Sequence, residues 1–99
     1  MAIAVIADIP STELYEQINE QMFGTKRPTE SPDGNIIHTA GDGPSGFCVV
    51  DVWESKEAFE TFMNEKIMPA MQEAGMEMQG SPPVIVDLIH VIVNEEARV

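Results

Sequence analysis

The sequence predicts one α+β domain, residues 1–99, in which strands and helices follow the order β-α-β-β-α-β. Two amphipathic segments begin at hydroxyl-bearing residues and carry apolar side chains at helical spacing. Four apolar segments are bounded by glycine, proline and other turn-forming residues, as β-strands are. Apolar residues make up 43% of the chain and charged residues 22%, which is the balance of a globular protein and not of a disordered one.

The first strand is predicted at residues 2–7, where the almost wholly apolar sequence AIAVIA indicates cover on both faces. A helix then begins near Ser11, whose hydroxyl can cap it, and ends at Gly24. Its apolar stripe has helical spacing and consists of Leu14, Ile18 and Met22. Residues 24–35 are rich in turn formers and predict a surface loop.

The middle of the chain predicts a β-hairpin with strands at residues 36–41 and 47–54 and a glycine- and proline-rich loop between them. Ser55 then caps a second helix, and Pro69 predicts a break or kink near residues 67–68 because proline has no backbone N–H to donate. A short third helix is expected from Pro69 to about residue 75. A long final strand is predicted at residues 84–93, followed by a polar tail at 94–99.

This element order predicts the ferredoxin-like arrangement, an antiparallel four-stranded sheet in the order 4-1-3-2 with helices on one face. Residues 47–53 and 84–93 are apolar at nearly every position, whereas a strand with one face in water should alternate. The second face of the sheet therefore needs a cover. Since the chain has no spare element, a second copy of it is the simplest cover, and the sequence predicts a homodimer.

Charge and processing signals limit the partners and the location. Five basic residues stand against seventeen acidic ones, and the formal net charge of −12 excludes nucleic acid and an anionic membrane surface as partners. No segment approaches the roughly 18 consecutive apolar residues that a membrane helix needs. The single cysteine, Cys48, cannot form an internal disulfide, and residues 1–10 lack a basic signal-peptide region, so a cytoplasmic location is expected.

Residues 50–62, VDVWESKEAFETF, resemble the V-x-x-W-E-S-x-E-A-F-x-x-F signature of small dimeric α/β-barrel proteins. The most similar group is the antibiotic-biosynthesis monooxygenase family. The resemblance extends over nearly the whole chain in element order, while the signature covers about residues 49–69. It implies a dimeric α/β barrel with an oxidoreductase activity like that of cofactor-free, quinone-forming monooxygenases. The superfamily also contains haem-degrading enzymes, lactone isomerases and many proteins of unknown role.

The haem-degrading members are a poor match at the positions that matter to them. Aligned on residues 53–55, their helical tryptophan falls on Phe62 and their haem-ligating histidine on Gln72. Their first-strand asparagine would lie near Ala7 or Asp8, where no asparagine occurs. Because an amide cannot replace an axial imidazole, we expect no haem, and no other cofactor is implied.

Two histidines and one aspartate are the candidate catalytic residues. His38 and His90 are the histidines of the chain, and either could be a general base or an orienting donor in an apolar pocket, or simply a half-buried strand residue with a hydrogen-bond partner. Asp51 lies in an apolar strand, where an acid is unfavourable unless it is bonded. It could orient a histidine, bind a substrate hydroxyl or bond donors across an interface. A metal site built from both histidines is not expected.

Soft and aromatic side chains are unusually frequent, with seven methionines in the chain. They could line an adaptable pocket for a small apolar or aromatic ligand, or fill an ordinary core. The predicted pocket residues are Met22, Phe23, Trp53, Phe59, Phe62, Met63, Ile67 and Met68. Met71, Met76 and Met78 belong to the same group of soft side chains.

Two functional hypotheses follow from these features. The first is a small-molecule enzyme or binder resembling the cofactor-free quinol and aromatic monooxygenases. The second is a non-catalytic dimeric protein that binds a ligand or assists another enzyme. A deep apolar cavity with a histidine on its wall favours the first hypothesis, whereas a filled core with both histidines at an interface favours the second.

Overall fold

A computed structural model describes residues 1–75 and 82–94, in which helices pack against an antiparallel four-stranded sheet. The strands are β1 (Ile3–Asp8), β2 (Asn35–Gly43), β3 (Gly46–Trp53) and β4 (Val84–Asp87), in the order β2-β3-β1-β4. The helical segments are α1 (Thr12–Phe23), α2 (Lys56–Phe62), a π-helical turn (Met63–Ile67) and α3 (Met68–Glu73). The predicted α+β class and strand order are confirmed, and the architecture is compatible with a ferredoxin-like fold.

Both predicted helix starts are confirmed by their capping geometry. Ser11 and Ser55 have extended backbones, and each hydroxyl accepts a hydrogen bond of 3.1 Å from the backbone N–H three residues later. The end of α1 is also as predicted. Gly24 adopts the left-handed conformation, with φ 76°, and its N–H donates to the carbonyl of Glu20.

The predicted interruption at Pro69 takes the form of a wider helical turn, and the chain stays helical through it. The N–H of Met68 donates to the carbonyl of Met63, five residues back, which is the π-helical pattern. Pro69 then lies in the first turn of α3. The π turn thus accommodates the proline without ending the helical segment.

The final strand is shorter than predicted, covering Val84–Asp87 and not residues 84–93. The register of the sheet explains the difference. Ile3, the first residue of β1, pairs with Asp87, and the last bond between the two segments runs from the N–H of Leu88 to the carbonyl of Ala2. The chain beyond Leu88 therefore leaves the sheet. Residues 95–99, most of the predicted tail, lie outside the described residues, as do Met76 and Met78.

The hairpin loop is also shorter than predicted. Gly43 pairs with Gly46, so only Pro44 and Ser45 form the turn between β2 and β3. Residues 42, 43 and 46, which the glycine-rich sequence predicted to be in the loop, belong to the strands. A two-residue turn lets the strands pair right up to it.

The two faces of the sheet differ in their cover. On the helix side, Ile3, Val5, Trp53 and Phe59 form the buried core. The opposite face, here called the open sheet face, is apolar, and no helix of residues 1–75 and 82–94 covers it. Its exposed residues are 39% to 57% accessible and consist of Ile6, Val50, Val84 and Val86, with Val52 half-buried among them. The apolar second face predicted from the sequence is therefore present.

Gly34 at the start of β2 provides a test of the packing between the sheet and α2. Its φ is 85°, and a Cβ built there would lie 2.6 Å from the Cβ of Ala58. We expect Gly34→Ala to lower stability more than Gly24→Ala, which has a similar φ of 76° but nothing within 4 Å. Gly24→Ala is the control, and it should lose only the about 1–2 kcal/mol that a left-handed backbone costs a residue with a Cβ. Urea denaturation measures both variants, and equal losses would contradict the close approach.

Candidate functional site

Three polar side chains from three elements form a hydrogen-bonded chain on the helix side of the sheet. His38 on β2 lies opposite Asp51 on β3, with 2.7 Å between its Nδ1 and the aspartate Oδ1. Tyr15 lies on α1, and its hydroxyl oxygen is 2.6 Å from His38 Nε2. These residues are referred to below as the Tyr–His–Asp chain. The structure thus joins two of the three predicted catalytic residues and adds a third that the sequence did not indicate.

A β-bulge brings His38 to this side of the sheet. Asn35 pairs with Trp53 and Ile37 with Val52, so one extra residue lies in β2 between the two pairs. Without it, His38 would move one position along β3 and lie on the open sheet face. The Asn35 amide holds the bulge by donating to the carbonyls of Ile37 at 3.2 Å and Val52 at 3.3 Å.

The direction of the hydrogen bonds follows from the chemistry of the three groups. An aspartate carboxylate only accepts, so His38 Nδ1 donates to Asp51. In the neutral ring Nε2 then carries no proton and accepts the hydroxyl hydrogen of Tyr15. The side chain of Asp51 is 13% exposed and that of His38 is 38% exposed. Asp51 therefore holds the ring from a largely buried position, while the His38 side chain is more exposed.

The Tyr–His–Asp chain lies on the wall of an open, mainly apolar cleft of about 2250 Å³ between α1, the sheet and the helices after β3. Seven of the eight predicted pocket residues line this cleft: Met22, Phe23, Trp53, Phe59, Phe62, Met63 and Ile67. Met68 does not line it and is exposed.

His90 does not join the other candidates. It is exposed beyond the end of β4 and is absent from the cleft wall. The predicted long strand would have held it within the sheet, but the strand ends at Asp87. The structure therefore separates the two histidines: His38 has an acid partner and a place on the cleft wall, and His90 does not line the cleft.

Sequence reasoning missed Tyr15, although a helical pattern points to it. Counted from Tyr15, the residues at i+3, i+4 and i+7 are Ile18, Asn19 and Met22, and all of them line the cleft. The predicted apolar stripe of Leu14, Ile18 and Met22 is narrower and does not include Tyr15. The ring of Tyr15 also packs against Phe47, with centroids 5.2 Å apart, which holds it over the β2–β3 hairpin.

Two buried polar atoms on residues that line the cleft have no hydrogen-bond partner within residues 1–75 and 82–94. They are the indole nitrogen of Trp53 and the side-chain oxygen of Asn35. Over the same ranges, no group of three or more histidine, cysteine, aspartate or glutamate side chains is arranged to hold a metal ion. In the part of the chain that the structure describes, no helix has the length and apolar character needed to span a membrane.

The fold and the site define a class of protein: a small α+β domain with an acid-supported histidine on the wall of an apolar cleft. No family model, curated protein or solved structure matches this chain. The monooxygenase family therefore stays an expectation based on the resemblance at residues 50–62.

Proposed function

We propose that this protein is a small-molecule enzyme in which His38 is the general base for a hydroxylated aromatic substrate. The observation that carries the proposal is the 2.7 Å hydrogen bond from His38 to Asp51 on the wall of the cleft. A carboxylate in that place orients the ring and stabilises the imidazolium that forms when the other nitrogen takes a proton.

The cleft favours a flat, apolar substrate with at least one hydroxyl group. Trp53 packs against Phe59 and Phe62 with ring centroids 5.8 Å and 5.2 Å apart, so the wall beyond the Tyr–His–Asp chain presents aromatic surface. A substrate ring can pack there while its hydroxyl meets the polar chain. The net charge of −12 disfavours strongly anionic substrates.

The proposed reaction converts a phenol and O₂ into a quinone and water without a cofactor. His38 takes the hydroxyl proton, and the electron-rich phenolate reduces O₂ and binds it at the opposite ring carbon. The imidazolium returns its proton to the peroxide oxygen. That carbon then loses its hydrogen as a proton while the O–O bond breaks, and the departing hydroxide takes this proton and leaves as water. One oxygen atom stays in the quinone, and all four electrons come from the substrate.

A homodimer is part of the same proposal. The open sheet face supplies a continuous apolar surface, and the segment after β4 adds further exposed apolar side chains, with Ile89 97% exposed. Such surfaces are uncommon on monomers and are typical of association sites. The non-catalytic alternative could use the same dimer, but the Tyr–His–Asp chain on the wall of the cleft favours an enzyme.

Oxygen uptake tests the proposed activity. The wild-type chain should accelerate O₂ consumption by at least one member of a panel of phenols whose ring carbon opposite the hydroxyl carries a hydrogen, relative to the rate without protein. The quinone product is followed by its absorbance. Absence of any acceleration across the panel would contradict the enzyme and leave a binding protein.

A further inference from the structure

The hydroxyl of Tyr15 occupies the nitrogen of His38 that a substrate would need. Nδ1 is bonded to Asp51, and Nε2 lies 2.6 Å from the tyrosine oxygen. An imidazole ring has no third nitrogen. A substrate hydroxyl therefore either displaces Tyr15 from the histidine or transfers its proton through Tyr15.

Several contacts hold Tyr15 where it is. Its ring packs on Phe47 and lies nearly parallel to the ring of His38, at 15°, with 6.0 Å between their centroids. Two hydrogen bonds also hold the second half of α1, the helix that carries Tyr15. Asn19 donates to the carbonyl of Lys26 at 2.9 Å, and Gln21 donates to Glu73 on α3. Displacing Tyr15 would break these ring contacts together with the hydrogen bond, so the arrangement favours transfer through it.

We propose that Tyr15 is the catalytic residue that contacts the substrate hydroxyl and relays its proton to His38. A phenolic oxygen has one hydrogen and two lone pairs, so it can donate to Nε2 and accept from the substrate at the same time. As the substrate O–H bond breaks, its proton bonds to the tyrosine oxygen and the tyrosine proton bonds to Nε2. Tyr15 ends the step neutral, and the imidazolium is paired with Asp51.

This inference rests on the proposed function and narrows the substrate class. A relay through an oxygen atom suits a substrate whose acidic hydrogen lies on oxygen, because such a group forms a strong hydrogen bond to Tyr15 before the proton moves. A carbon acid would form no comparable bond there. The substrate is therefore a hydroxylated ring that binds through its O–H group.

Direct contact can be measured without turnover, because Tyr15 is the only tyrosine in the chain. Replacing tyrosine with 3-fluorotyrosine gives a single ¹⁹F resonance. Titration with 4-chlorophenol should shift this resonance in a saturable way. The matched probe 4-chloroanisole has the same ring but no O–H and should give a much smaller shift. Equal shifts with both probes, or no shift with 4-chlorophenol, would overturn the contact.

Kinetics separate the relay from a purely structural role. With 2-methylphenol as substrate, whose ring carbon opposite the hydroxyl carries a hydrogen, Tyr15→Phe should lower kcat on the order of 10-fold, less than the loss of the base itself, because His38 remains. Rates in H₂O/D₂O mixtures should give a curved proton inventory for the wild type and a linear one for Tyr15→Phe. A linear wild-type plot, or an undiminished kcat in Tyr15→Phe, would overturn the relay. A ¹⁹F shift combined with full turnover in His38→Ala would instead overturn the proposed base and leave the contact standing.

Discussion

Replacing His38 with alanine should lower the rate of 2-methylphenol oxidation by roughly 100-fold or more, the usual effect of losing a positioned general base. Alanine removes both the nitrogen that takes the proton and the partner of Asp51 and Tyr15. Initial oxygen uptake at saturating substrate measures the loss. Far-UV circular dichroism shows whether the variant keeps its fold.

His90→Ala is the matched control for this variant. It removes the other histidine of the chain, which is exposed and lies away from the cleft wall, so its oxygen uptake should equal that of the wild type. Asp51→Asn should also reduce the rate, since an amide does not stabilise the imidazolium as a carboxylate does. Wild-type rates in His38→Ala, or equal losses in both histidine variants, would contradict the assignment of the base.

Placing a charge on the open sheet face should separate the proposed dimer. Val50 and Val52 lie on that face, whereas Val49 lies on the helix side and lines the cleft. Each fully buried valine or isoleucine contributes roughly 1.5–3 kcal/mol, so the apolar residues of two such faces outweigh the cost of association. Val50→Asp and Val52→Asp should sediment at the chain mass of 10.9 kDa, and the wild type at twice that mass.

Val49→Asp is the control for these variants, since it adds the same charge to the same strand on the other side of the sheet. It should remain dimeric at micromolar concentration. Because each chain carries a net charge of −12, added salt should strengthen the wild-type dimer by screening repulsion. A folded wild-type monomer of 10.9 kDa would contradict the face-to-face arrangement.

Local signals made the helices and the strand order predictable from the sequence. Ser11, Ser55 and Gly24 act through hydrogen bonds to residues three or four positions away, so their roles can be inferred without the rest of the fold. The order of short connections then restricts the topology to few choices. The extent of the last strand was not accessible in this way, because it depends on how far β1 runs beside it.

The site itself was only partly predictable. Asp51 was recognised because an acid within an apolar strand needs a partner, and that partner is His38. That His38 is this partner depends on the bulge between Asn35 and Ile37, because the bulge moves every following residue of β2 to the other face of the sheet. The contact of Tyr15 with His38 depends on how α1 packs on the sheet. Neither the bulge nor this placement follows from residue spacing within one segment.

The most direct test of the account is the position of the proton on the His38 ring. Long-range ¹H–¹⁵N spectra at a pH where both histidine rings are neutral distinguish the two tautomers, and the exposed His90 supplies a reference within the same chain. The bond to Asp51 predicts that His38 carries its hydrogen on Nδ1. Nε2 then has no hydrogen and can take the proton that Tyr15 relays from the cleft. Loss of this preference in Asp51→Asn would support the same assignment. A hydrogen on Nε2 in the wild type would contradict it, because the ring would then offer no base to the substrate.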